Sequence, residues 1–293
     1  MNPKIGLVND SAADLTQEII EKYQIAVVPV KMDWPDIENL PGENTLQKMR
    51  EAKKRGIEGF GKTSQPSPKD FLDAFQRQLE RFEKIICITI TSKLSGTYNS
   101  ALQARNLLGT EKEARVFVID SLNASCGTGL LVLKAVDLIN EDKNIEEIVK
   151  ELEKFTPQIY FYGILEDIKW LEASGRISST LANWARKMQK IGIRPIIGIK
   201  KGLIKAIGIR VGVKDISSTL FAKLKTKTER LKKQGKKFRV TIAHGDNLEE
   251  AQKLKEMIEN EFKEVEVAFI NLIDDVLAVL AGPDALLLGW CEA

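Results

Sequence analysis

A chain of 293 residues can form two domains at roughly 100–200 residues each, and its 43% apolar composition supplies packed cores. A formal net charge of +3 is too small to argue for nucleic acid or an anionic membrane as partner. Three cysteines, Cys87, Cys126 and Cys291, are too few and too scattered for a disulfide framework or a cysteine-rich zinc site. The single histidine, His244, has no second histidine with which to build a metal centre.

The opening MNPKIGLVND has no apolar h-region, and no run of about 18 uncharged apolar residues follows. A cytoplasmic protein with no membrane span is expected. Lys4 to Val8 reads as a strand ending in Asn9-Asp10-Ser11. Thr16 caps a helix through Tyr23, with Ile19 and Ile20 inward. Ile25 to Val30 is a second strand, and Pro29 places it at an edge or an end because proline cannot donate to a ladder. Asp33 to Gly61 is irregular apart from a helix from about Thr45 to Arg55. Ser67, Pro68 and Asp70 form a strong helix start for a helix to about Arg81, which leaves Thr63 and Ser64 in the loop before it.

Ile85 to Ile90 is a run of β-branched and apolar residues, a buried strand. It feeds a turn dense in hydroxyls, Thr91, Ser92, Ser95, Gly96 and Thr97, and then a helix. Such a turn places donors at a helix N-terminus, where an anion is stabilised. Arg115 to Ile119 is a strand ending in Asp120-Ser121, followed by a small-residue turn, Asn123 to Gly129, and an apolar helix to Ile139. Strand and helix alternate to about residue 155, which predicts a parallel sheet with helices on both faces. Ligands in such sheets bind beyond the carboxyl ends of the strands, where these hydroxyls gather.

Phe155-Thr156-Pro157 reads as the domain boundary, giving domains 1–157 and 158–293. The second half carries a strand at Ile159–Leu165, short helices at 168–173 and 181–189, and a hairpin of Pro195–Ile199 with Leu203–Ile209 around Lys200-Lys201-Gly202. A long helix follows at about 217–232, and the basic run Lys223 to Lys237 reads as its solvated face and exit loop. Phe238–Ala243, Val265–Ile270, Ala278–Leu280 and Leu286–Trp290 are expected to complete a mixed sheet, with a helix at 248–262.

Seven pieces in order resemble the DegV family of bacterial fatty-acid-binding proteins. They are Asp10-Ser11-Ala12-Ala13-Asp14-Leu15, Thr63-Ser64-Gln65-Pro66-Ser67, Ser92 to Tyr98, Asp120-Ser121 with Gly127 and Gly129, Gly175-Arg176-Ile177-Ser178, Arg194-Pro195-Ile196, and Gly282-Pro283. The resemblance implies a two-domain α/β protein that encloses one long-chain fatty acid, with its tail in an apolar tunnel covered by the C-terminal domain and its carboxylate at the domain interface. It implies no cofactor and no chemistry of the protein's own. The loaded protein would serve as the binding subunit of fatty acid kinase, presenting the carboxylate to a separate ATP-dependent kinase subunit that forms acyl-phosphate.

Thr63 and Ser95 carry over as head-group contacts, with Ser64, Gly96, Thr97 and Ser121 around them. Arg176 and Arg210 are basic positions for kinase docking or phosphoryl contact. Asn9 stands where the family usually has Thr, and Arg194 replaces a frequent Lys. Leu280 stands where the family often has His, and Asp284 replaces a Gly.

A tail of about 15 carbons carries roughly 12 kcal/mol of transfer free energy before binding costs. One hydrogen bond to a charged group is worth about 1.5–3 kcal/mol, so the tail dominates affinity. The alternative class is a small-molecule hydrolase or phosphoryl transferase using Ser95 or Asp120. No motif sets a base beside a serine, and no glycine-rich turn matches dinucleotide or P-loop spacing. Asp10 and Asp120 resemble an acid–base pair, but strand-end aspartates more often cap the next turn.

Overall fold

The structure, a computed structural model, describes residues 4–211 and 215–293, with the side chains of residues 210 and 211 outside the description. In chain order the elements are β1 (Ile5–Asp10), α1 (Gln17–Tyr23), β2 (Ala26–Val28), β3 (Lys31–Asp33), α2 (Pro35–Glu38), α3 (Thr45–Lys54), β4 (Lys62–Ser64), α4 (Pro68–Leu79), β5 (Lys84–Thr89), α5 (Thr97–Asn106), α6 (Thr110–Glu113), β6 (Val116–Asp120), α7 (Cys126–Asn140) and α8 (Ile145–Phe155). They continue with β7 (Tyr160–Ile164), α9 (Lys169–Ala173), α10 (Ser179–Lys190), β8 (Ile193–Lys200), β9 (Leu203–Val211), α11 (Ile216–Lys233), β10 (Phe238–His244), α12 (Leu248–Glu261), β11 (Val265–Leu272), α13 (Asp275–Ala281) and β12 (Leu286–Glu292).

The chain divides into two compact units. The first comprises residues 1–31, 64–159 and 201–203, and the second comprises 32–63, 160–200 and 204–293. Residues 32–63, read from the sequence with the N-terminal domain, group here with the C-terminal half.

In the first unit the strands run in the order β2-β1-β5-β6, all parallel. Val8, Ile85, Cys87 and Val116 share a cluster with Phe71, Phe75, Ala101 and Ala104 from α4 and α5. The intervening Ile86 and Ile88 are equally buried, and α7 packs on β5. A strand covered on both faces shows no polar alternation, which is why β5 reads as a continuous apolar run. Local chemistry sets the helix starts. Thr16 accepts from Ile19 N, and Ser67 with Asp70 closes a capping box. Ile19 and Ile20 are half-buried rather than inward. The 25–30 stretch keeps only Ala26–Val28 as an edge strand, ending before Pro29.

The second unit holds a six-stranded mixed sheet in the order β11-β10-β12-β7-β8-β9. β10 pairs parallel with β11 and antiparallel with β12, which pairs antiparallel with β7. Its core joins Tyr162, Val240, Ile242, Leu286, Leu288 and Trp290 from the sheet to Leu220 and Leu224 of α11 and Leu254 and Ile258 of α12.

Three readings differ in kind from the structure. Thr63 and Ser64, expected in a loop, lie in strand β4. Pro35–Glu38, expected as irregular, is helix α2. Residues 278–280, expected as a strand, lie in helix α13. The run Val-Leu-Ala-Val-Leu-Ala is apolar throughout, so periodicity cannot separate strand from helix. Asp274 decides it, its side chain accepting from Val276 N at the N-cap, and Gly282 at φ +77 stops the helix.

Candidate functional site

The hydroxyl turn after β5 is built by carboxylates at the ends of its two neighbouring strands. Asp10, fully buried, accepts from Ala12 N at 3.0 Å and from Ile90 N at 2.7 Å. Asp120 accepts from Ser92 N at 3.1 Å and from Leu122 N at 3.0 Å. Both aspartates therefore cap backbone, and the acid–base reading finds their oxygens engaged in holding the turn. Within it, Leu94 N and Ser95 N donate to Thr91 O at 3.1 and 3.2 Å, a single helical turn that presents Ser95. Residues 201–203 belong to the same unit, where Thr91 Oγ1 donates to Gly202 O at 3.3 Å.

Ser95 Oγ lies 2.7 Å from Thr97 Oγ1 and accepts from Thr97 N at 3.3 Å. With Thr97 donating, Ser95 Oγ accepts twice and keeps its own proton for a third group. Gly96 is the N-cap of α5, which has no side-chain cap, so the first-turn N–H groups add a partial positive charge beside Ser95. A methyl group on Gly96 would come 2.4 Å from Gln65 Oε1. The Gln65 amide therefore lies directly over the turn and brings the Ser64-Gln65 end of the earlier loop to it. Ser64 itself is exposed.

Ser121 is different. It is fully buried, donates to Asn123 O at 3.0 Å and pairs with Thr128 Oγ1 at 3.1 Å. Its proton is committed inside its own turn, so its geometry is that of a strut.

In the second unit, Thr63 on β4 accepts from Arg176 Nη2 at 3.0 Å, and Arg176 Nη1 donates to Ser174 O. Burial lowers the Arg176 pKa from its ordinary value, because the guanidinium is partly withdrawn from water. The Arg210 side chain lies outside the described residues.

Two neighbouring loops were not singled out from the sequence as a site. Arg50 of α3 ion-pairs with Asp246 and with Asp284, the latter at 2.8 Å, and donates to Asp246 O at 3.0 Å. Both aspartates have positive φ, 57° and 64°, so one guanidinium holds two left-handed turns. Arg50 was hidden inside a helix with many other cations. Asp284 in the place of a family glycine was its one visible trace.

His244 ends β10 and accepts from Asn247 N through Nδ1 at 3.1 Å, which puts its proton on Nε2. Burial lowers its pKa, against a smaller upward pull from Asp246. The unfolded chain then binds the proton first, so stability is full above about pH 6.5 and falls as pH drops towards the folded-state pKa. As the chain's only histidine, His244 should account for any loss of urea midpoint between pH 7 and about 5.5 that His244→Asn abolishes. An identical fall in that variant would contradict this.

A surface cleft of about 390 Å³ lined by Lys4, Lys84, Lys143 and Ile145 lies at the opposite, amino-terminal ends of β1 and β5. Its Lys84 and Lys143 are matched by Glu146, Glu141 and Glu151, so it offers little uncompensated charge. Among the described residues no group of acidic, histidine and cysteine side chains could hold a metal, and no helix is long and apolar enough to cross a membrane.

A family model described as an uncharacterised protein of the DegV family matches residues 4–293. A DegV domain-containing protein of Clostridium acetobutylicum is 38% identical over 204 residues, 68% of this chain and 69% of that one. A protein of Thermotoga maritima named fatty acid-binding protein is 30% identical over 286 residues, 96% of this chain and 95% of its own length. Among solved structures, a fatty-acid-binding DegV protein of Thermus thermophilus superposes with a TM-score of 0.83 at 26% identity, covering 99% of this chain and 100% of its own. A stearic acid-binding protein of Eubacterium ventriosum gives 0.84 at 25% identity, covering 98% of each chain. With a family match over nearly its whole length, this chain belongs to the DegV family.

Proposed function

We propose that this chain binds one long-chain fatty acid, without a cofactor, and presents its carboxylate to a separate ATP-dependent kinase subunit that forms acyl-phosphate. The observation that carries the binding step is the Ser95–Thr97 hydroxyl pair at the start of α5, in which Thr97 as donor leaves the Ser95 proton for a ligand. A carboxylate leaving water needs such donors. Thr63 is proposed for the same role, because its oxygen already accepts from Arg176 and its own proton remains to donate. Gly96 N–H and Thr97 support Ser95, and Arg176 supplies positive charge for the carboxylate or for the phosphoryl group transferred to it. The relatives named for fatty-acid binding support the ligand class.

The hydrolase alternative loses ground on geometry. Ser95 pairs with a threonine rather than a base.

Mass spectrometry of an organic extract of the denatured protein should find about one fatty acid per chain. Ser95→Ala and Thr63→Ala, measured singly, should each weaken fatty-acid affinity about 10- to 100-fold, the worth of one hydrogen bond to a charged group. Undiminished affinity in both variants would refute the head-group assignment. An empty extract from protein that hydrolyses an ester would refute the carrier.

A further inference from the structure

We propose that the free edge of β9 is a docking strand, which adds an extended, acidic segment of a partner protein to the six-stranded sheet. This does not depend on the fatty-acid reading. β9 is the outermost strand of its sheet and is nine residues long. The two-residue turn before it, Lys201-Gly202, has φ of +50° and +80°, the geometry of a tight hairpin. Among the described residues no strand pairs with the side of β9 that faces away from β8. Lys205, Ala206 and Ile209 are exposed on this strand, Ile209 at 53%. A long open edge is a template for strand addition.

Charge identifies the guest. Lys223 Nζ donates to Ile207 O at 2.9 Å, so this face of α11, which packs over β12 and β7, reaches towards β9. The helix runs back against the direction of β9. Advancing at about 1.5 Å per residue against about 3.3 Å for a strand, it brings Lys227 near the level of Lys205, with Arg230 one turn beyond. Lys205, Lys227 and Arg230 have no carboxylate partner among the described residues. Four other cations of α11 and its exit loop are matched by carboxylates. Lys225 and Lys232 share Glu261, Lys233 meets Glu229, and Lys236 meets Glu292. Lys205, Lys227 and Arg230 are left as uncompensated charge beside β9.

One lysine on an edge is enough to discourage edge-to-edge pairing. Two further cations on the adjacent helix exceed that purpose and suit an acidic strand. A second copy of this chain would bring the same positive charges together.

The test uses fluorescence anisotropy on the full chain with a labelled peptide of about ten residues alternating Glu with Val or Thr. It should bind, more tightly at low salt. The same peptide with proline at alternate positions should bind at least about tenfold more weakly, because proline removes ladder donors. Lys205→Glu with Lys227→Glu, or the milder Gln pair, should weaken the parent peptide at least about tenfold with an unchanged melting curve. Equal binding of the proline peptide, or full affinity in both paired variants, overturns the proposal. So does failure of the peptide to bind while vesicles of phosphatidylglycerol in phosphatidylcholine bind in a Lys205- and Lys227-dependent manner, which would assign the surface to an anionic membrane.

Discussion

Asp10→Ala is expected to destabilise the first unit by roughly 3–5 kcal/mol, because it strands two buried N–H donors and opens a small cavity. The carboxylate sits at zero exposure, bridging Ala12 N on its own side to Ile90 N across the sheet. Ile90 is the last residue before the hydroxyl turn, so the loss is structural first and functional second. Hydrogen exchange is the suitable measurement. All four tryptophans, Trp34, Trp170, Trp184 and Trp290, belong to the second unit, and their fluorescence would not report the change. The amides of Ala12 and Ile90 should exchange fastest relative to wild type, followed by residues 91–97. Asp10→Asn keeps one acceptor and should cost less, roughly 1–3 kcal/mol. If Asp10→Ala left the Ile90 amide protected, the carboxylate would not be the post that holds the turn. A variant that folded normally but lost a chemical activity would revive the acid–base reading.

How much of this was legible beforehand depended on sequence distance. Caps are local, and Thr16, Ser67 and Asp70 were readable because donor and acceptor lie within three residues. The buried β5 run and the strand–turn–helix around Ser95 were readable for the same reason. The partners that give the site its shape were not. Asp10 reaches Ile90 across 80 residues, and Arg50 reaches Asp246 and Asp284 across 196 and 234. No spacing rule covers such pairs. Gln65 entered only as part of the motif Thr63 to Ser67, with no role of its own, and only its close approach to Gly96 shows why a side chain is excluded there. Ser121 carried the family pattern yet turned out to be fully engaged within its turn. Residues 32–63 precede the main run of their unit by about a hundred positions, and part of their tie to it is aromatic packing, Trp34 and Phe60 on Trp170, beside the Arg50 ion pairs and the Thr63–Arg176 bond. The misread α13 shows the reverse limit, where a uniformly apolar stretch left the decision to one capping aspartate.

That aromatic tie makes Gly282→Ala the largest single-methyl effect expected in the second unit, roughly 3–5 kcal/mol. Two costs combine. Gly282 has φ 77° and ψ 172°, a region open in practice only to glycine, where any side chain adds about 1–3 kcal/mol. Its added Cβ would also lie 2.1 Å from Trp170 Cδ1 and 2.4 Å from Trp170 Nε1. The indole cannot swing aside cheaply, since it is 8% exposed and packed on Trp34 at 5.9 Å and Phe60 at 5.4 Å. Trp170 must therefore shift together with α9. That helix leads through Ser174 and Gly175 to Arg176, so the Arg176–Thr63 hydrogen bond should loosen along with the fold. Tryptophan fluorescence should show a lower urea midpoint and a red-shifted native emission. A double-mutant cycle separates the two costs. Trp170→Ala alone should cost about 3–5 kcal/mol, but clearly less in the Gly282→Ala background, where the clash has been removed and only backbone strain remains. Strict additivity of the two substitutions would mean that indole and glycine do not meet, and that the Gly-Pro motif is glycine for its backbone angle alone.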